Sequence, residues 1–80
     1  MTPAQCRAAR ALLDMTQSQL AERAALGLST VVDFEKERRQ VSEEAVKRIR
    51  DALEEAGIEF LSDGEKVGLL VRRPRPRTRK

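Results

Sequence analysis

The chain has 80 residues, one small domain near the lower limit for a self-sufficient core, and two Phe with no Trp or Tyr make that core aliphatic. With no apolar run long enough to span a membrane, no histidine and one cysteine, the composition argues against a membrane protein, an intramolecular disulfide and a transition-metal site. The net charge of +3 is uneven: six of the 16 basic residues and none of the 13 acids fall in 72–80, so residues 1–71 hold ten bases against 13 acids, a balance of −3.

The first helix opens at Thr2, with Pro3 at its first helical position and Gln5 completing a capping box, and runs to about Leu13. Ala9, Leu12 and Leu13 are expected to supply its core face. Arg7 and Arg10, three apart, emerge together. Cys6 reads as a small buried hydrophobe, since no histidine is present to activate it as a nucleophile.

The second helix opens at Thr16. Gln19 sits at the third position and can reach back, a second capping box, while Met15 and Leu20 have the spacing of a hydrophobic staple. Leu20, Ala21 and Ala24 form one apolar face. Ala25-Leu26-Gly27 breaks the pattern. A third helix follows from Gly27 as N-cap, with Leu26 and Val31 as staple. Val31, Phe34 and Glu35 face inward. Leu28, Ser29, Val32, Asp33 and Lys36 face outward on a short-chained, lightly polar surface that suits a DNA major groove.

At Thr16-Gln17, Leu20-Ala21, Ser29, Val31, Phe34 and Glu35, followed by a basic loop, the chain resembles the XRE/Cro family of helix-turn-helix DNA-binding domains over roughly residues 5–56. The resemblance implies a compact, mainly α, four-helix domain and transcriptional regulation, most often repression. It implies an ion pair between Arg10 and Glu35 that locks helix one to the recognition helix. The sequence departs from the family at three places. Ala25 stands where a turn glycine is usual, Gly27 where a polar N-cap is usual, and Glu37 where glycine usually ends the recognition helix. Alanine at a positive-φ turn position costs ~1 kcal/mol unless the turn shifts.

Lys36, Arg38 and Arg39 leave the recognition helix where a groove-bound helix passes the phosphate backbone, and are expected to contact phosphates. Gln17 at its helix N-terminus and Thr30 are expected to do likewise. The outward face has no Arg, Gln or Asn before Lys36, so strong base readers are scarce. Leu28 and Val32 can touch thymine methyls, Ser29 can bond base edges, and Asp33 can accept from cytosine N4. Phosphate contacts should carry most of the affinity, and DNA shape part of the discrimination.

Val41-Ser42-Glu43-Glu44 opens the fourth helix, with Ser42 as cap and Val41 and Val46 as staple. Val46, Ile49 and Leu53 form its buried stripe, with Ala45, Ala52 and Ala56 alongside. Gly57 supplies a left-handed end and Ile58 a Schellman-type contact to Leu53. With the resemblance, residues 1–57 are expected to form the DNA-binding unit. The period then changes. Ile58–Leu61 and Val67–Val71 flank Ser62-Asp63-Gly64-Glu65-Lys66, and residues 58–71 read as a β-hairpin and expected dimerisation element. Phe60 and Leu69 share one face, Leu61 and Leu70 the other. An isolated hairpin is marginal, so one face should cover the helices while the other face or an edge meets a second subunit.

Residues 72–80 form a basic tail, expected to be disordered when free. It reads equally as a solubility tail or as an arm whose Arg72, Arg73, Arg75 and Arg77 contact DNA. A two-fold dimer would place two recognition helices ~34 Å apart on a near-palindromic double-stranded operator. The alternative reading is an antitoxin-like protein-interaction module that neutralises a toxin and autoregulates its operon. An enzyme is not expected, because the acid pairs Glu43-Glu44 and Glu54-Glu55 are adjacent on solvated helix surface with no nucleophile–base pair nearby. No cofactor is expected. With no secretory signal, the expected location is cytoplasmic, of bacterial or phage type, and on the nucleoid when bound.

Overall fold

The computed structural model describes residues 1–62 and 67–72. Four helices precede two strands: α1 (Pro3–Leu13), α2 (Gln17–Ala24), α3 (Leu28–Lys36), α4 (Glu43–Glu55), β1 (Ile58–Ser62) and β2 (Val67–Val71). The helix starts follow from side-chain capping. Thr2 accepts from the Gln5 N–H and Gln5 reaches back to the Thr2 N–H; Thr16 and Gln19 repeat the arrangement, and Ser42 accepts from the Ala45 N–H. Gly27 caps α3 without a side-chain bond.

The helix ends follow a different rule from the starts. Asp14, Ala25 and Glu37 all take the left-handed conformation, at φ of 57°, 58° and 55°. At each, two backbone bonds close the end in the Schellman manner: Asp14 N–H to Ala11 and Met15 N–H to Arg10; Ala25 to Glu22 and Leu26 to Ala21; Glu37 to Phe34 and Arg38 to Asp33. None of the three is glycine, so each carries the Cβ penalty of that conformation, ~1–2 kcal/mol before packing offsets it. The turn does not shift to relieve Ala25. Gly57 after α4 does take positive φ, at 116°, but makes only the Gly57-to-Glu54 bond of the pair.

The core is aliphatic. Leu20, Ile49, Leu53 and Val31 are fully buried, with Cys6, Ala9, Ala21, Ala24, Ala52 and Ile58 around them. Met15 belongs to the same cluster, and Leu13, Leu26 and Phe34 pack on its edge. Each buried Leu or Ile stabilises the fold by ~1.5–3 kcal/mol relative to exposure. Leu12 does not contribute as expected: it is 52% exposed. The core line of α1 runs through Cys6, Ala9 and Leu13, and Leu12 lies about 100° away from Leu13 around the helix.

The two strands pair antiparallel, with Ile58 opposite Val71, Phe60 opposite Leu69 and Ser62 opposite Val67. Ser62 therefore belongs to β1 rather than to the loop. Residues 63–66 of the loop and 73–80 of the tail lie outside the described residues. The hairpin packs on α1 through β2 and on α4 through β1. Ile58 is buried, and Phe60 and Leu69 pack on the core. Leu61 and Leu70 on the opposite face are 43% and 53% exposed. Gln5 ties helix to sheet, donating from Nε2 to the Gly68 carbonyl at 3.1 Å while its Oε1 serves the α1 cap. Arg50 lies over the Phe60 ring, 5.4 Å from its centre.

Candidate nucleic-acid interface

The interface is built outward from one buried acid. Glu35 in the last turn of α3 is 1% exposed. Its carboxylate accepts from Arg10 Nε at 2.6 Å, Arg10 Nη2 at 2.7 Å, Gln17 Nε2 at 3.0 Å and Cys6 Sγ at 3.1 Å. A carboxylate offers about four lone-pair sites, so this one is fully satisfied. Arg10 spends its remaining nitrogen, Nη1, on the Met15 carbonyl at 3.0 Å. Arg7 Nη1 donates to the Glu35 carbonyl, one of the orphan acceptors at a helix C-terminus. One acid thus joins α1, the start of α2 and the end of α3, which fixes the angle at which α3 is presented.

The electrostatics match the geometry. Burial by itself would raise the Glu35 pKa, but the hydrogen bonds from Arg10, Cys6 and Gln17 and the Arg10 charge hold it below the usual carboxylate range. Arg10 moves up, chiefly through its hydrogen bonds to Glu35. Burial, and then the hydrogen bond to the Glu35 carboxylate, push the Cys6 thiol far up, so this sulfur stays protonated as a donor.

On the other side of α3 the outward residues are arranged as the helical period requires. Leu28 is 47% exposed, Ser29 and Lys36 are exposed, and Thr30, Val32 and Asp33 are half-buried. Arg38 and Arg39 are exposed in the following loop. Two features of this surface escaped the sequence. Gln17, expected at a phosphate, is half-buried and donates one Nε2 hydrogen to Glu35, and the backbone N–H groups at the start of α2 lie at the same helix end. Asp33 and Arg39 are also not independent: Arg39 Nε donates to Asp33 Oδ2 at 2.8 Å. A six-residue separation spans the Schellman turn at Glu37, so no helical pairing rule flags it; the basic residue just past a helix end was its one available signal.

Arg72 lies elsewhere. Its N–H donates to the Gly57 carbonyl at 2.7 Å and its Nη2 approaches the Glu54 carbonyl at 3.4 Å, both at the end of α4. Arg73, Arg75 and Arg77 fall outside the described residues. Among the described residues no group of His, Cys, Asp and Glu could hold a metal ion, and no helix is long and apolar enough to cross a membrane.

A short α2, a three-residue turn closed by Ala25, and an α3 held from behind while its front stays open form the helix-turn-helix geometry. No curated protein matches the chain. A family model described as helix-turn-helix matches residues 7–60, which takes in all of α2, α3 and α4 and most of α1. Domains of this kind are DNA-binding regulatory units and not an enzyme family. The chain belongs to the XRE/Cro-type helix-turn-helix family of DNA-binding regulators.

Proposed function

We propose that this chain is a sequence-specific transcriptional repressor that binds double-stranded DNA as a homodimer, with α3 in the major groove of each half of a near-palindromic operator. The observation that carries the reading is the contrast across α3. Its inner edge is locked by Glu35 to Arg10 and Gln17, while on the outer one Leu28, Ser29 and Lys36 are exposed and Val32 and Asp33 half-buried. A rigid helix end with a short-chained open face docks without losing conformational freedom. In this reading Leu28, Ser29, Val32 and Asp33 meet base edges. Lys36, Arg38, Arg39, Thr30 and the N-terminus of α2 meet phosphates, and the tail adds affinity. Residues 1–57 form the reader, 58–71 the dimer contact and 72–80 the arm. The protein works in the cytoplasm, on the nucleoid.

The hairpin supports a self-association role. Its outer face exposes Leu61 and Leu70, and small domains gain stability by covering such surface. The same leucines favour the second reading, an antitoxin-like module whose hairpin holds a toxin. Sedimentation at micromolar concentration separates them: a dimer supports the first reading, and a monomer whose DNA binding is unaffected by Leu61→Asp supports the second.

The test of the main reading is selection from a randomised duplex pool at physiological salt, with the full chain and with a chain ending at Val71. A palindrome enriched by both makes α3 the reader and the tail an affinity arm. No enriched sequence, or binding that vanishes with the tail, overturns specific recognition by the helix. Arg38→Ala should weaken all duplexes alike and lower the salt slope by about 0.9.

A further inference from the structure

We infer that Arg39, held by Asp33, is the strong base reader that α3 itself lacks, and that it takes a guanine. The inference rests on the major-groove reading above and reassigns two residues within it. Asp33 becomes a positioning residue rather than a direct reader, and Arg39 moves from the phosphate backbone to a base.

Three observations converge. First, α3 offers no Arg, Gln or Asn on its outward face, so direct discrimination would rest on aliphatic contacts, a serine and one acid. Second, the Schellman turn at Glu37 reverses the chain after α3 and brings Arg39 back against the helix, where its Nε bonds Asp33 at 2.8 Å. Asp33 stands beside Ser29, Val32 and Lys36 on the surface that meets bases. Third, the bond uses only Nε. Among the described residues the two terminal nitrogens of Arg39 have no hydrogen-bond partner, and the side chain is 52% exposed. A guanidinium held by its Nε has its terminal nitrogens available for the O6 and N7 of guanine, the commonest specific contact in the major groove.

Electrostatics favours the pair over two separate roles. A lone Asp33 carboxylate facing DNA meets a dense array of phosphates of its own sign, whereas the Asp33–Arg39 unit presents a neutral sum with its cationic end outward. Fixing the arginine beforehand also removes part of the side-chain ordering cost that an unrestrained arginine meets on binding.

The experiment is the duplex selection repeated with Asp33→Asn, Arg39→Lys and the double variant, with affinities then measured on the selected operator and on each single base-pair change. Arg39→Lys is decisive because lysine keeps the charge and loses the fork. The expected result is that Arg39→Lys loses roughly ten- to hundredfold of discrimination at one G·C pair. Asp33→Asn should lose preference at that same pair, and the double variant should lose no more than the larger single loss. Both variants should still bind non-operator DNA. Full base preference in Arg39→Lys, or equal weakening of every duplex by it, returns Arg39 to the phosphates and overturns the inference while leaving the helix as reader. A wild-type chain that enriches no sequence overturns the groove reading and this assignment with it.

Discussion

Glu35 and Asp33 stand two positions apart on α3, about 200° around the helix, and their surroundings differ in every respect that sets the strength of an ion pair. Glu35 is 1% exposed and accepts four hydrogen bonds from three side chains. The Asp33 side chain is 21% exposed and accepts one bond, from an arginine that is 52% exposed. Water screens both partners of the second pair, whereas in the first the acid is buried and only the Arg10 side chain, 19% exposed, meets solvent. Desolvation makes the Glu35 pair expensive to break, while exposure makes the Asp33 pair easy to exchange for another partner. The same helix therefore carries a fixed contact toward the protein and a replaceable one toward the solvent.

The sharpest way to break the comparison is Arg10→Ala. It strips two bonds and the counter-charge from an acid that stays buried, and should destabilise the fold by about 3–5 kcal/mol in urea or thermal unfolding. Replacing both partners, Arg10→Met with Glu35→Leu, should recover most of that loss, because no charge is then left unpaired. If the single variant costs under about 1 kcal/mol, Glu35 is better hydrated than its 1% exposure implies.

Titration gives the next largest effect. The Glu35 pKa in the fold lies below its unfolded value of about 4.3. Its contribution is therefore fully present above the unfolded value and is lost as pH falls through the folded one. Unfolding free energy measured between pH 3 and pH 7 should drop on the acid side, and Glu35→Gln should be flatter over that range although less stable at neutral pH. A wild-type profile parallel to that of Glu35→Gln would remove the electrostatic part of the argument.

A change to the helix ends tests whether either acid depends on strained backbone. Ala25 and Glu37 hold φ of 58° and 55° without being glycine. Ala25→Gly and Glu37→Gly should each raise stability by up to about 1 kcal/mol, the side-chain penalty relieved minus the backbone entropy that glycine adds. The Arg38-to-Asp33 backbone bond should survive in both, and with it the approach of Arg39 to Asp33. A loss of stability on Ala25→Gly would mean that the αL site is already favoured by its packing.

How far the molecule could be read from its sequence follows from the range of the signals. Capping boxes are legible because Thr2 with Gln5 and Thr16 with Gln19 act within one turn. The buried stripe of Ile49 and Leu53 and the faces of the hairpin are legible from period alone. The Arg10–Glu35 contact was available only through the family resemblance, since 25 residues separate the two. Leu12 falls outside the core that the period assigns it to, because periodicity locates a stripe only to within one residue position. The helix ends at Ala25 and Glu37 are marked only by the resemblance, as positions where glycine is usual, and the end at Asp14 leaves no compositional mark. The double use of Gln5, as cap and as donor to Gly68, and the fold of Arg39 onto Asp33 depend on where two segments meet in space.

The smallest effect on stability should be the most informative about function. Asp33→Ala removes an exposed pair and should cost less than about 1 kcal/mol of folding stability. Under the proposed recognition it also frees Arg39 from α3, so the same variant should lose base preference at one position while keeping, or gaining, affinity for unrelated duplexes. Gain is reasonable because an acid facing phosphates has been removed. Glu35→Ala should do the reverse: a large loss of stability, and in whatever fraction stays folded, weaker binding to every sequence as α3 loses its fixed angle. Measuring melting and base preference on both variants separates an acid that holds the helix from an acid that aims a reader. If Asp33→Ala weakens all duplexes equally, the outer acid supports the fold as the inner one does, and the contrast across α3 has no bearing on specificity.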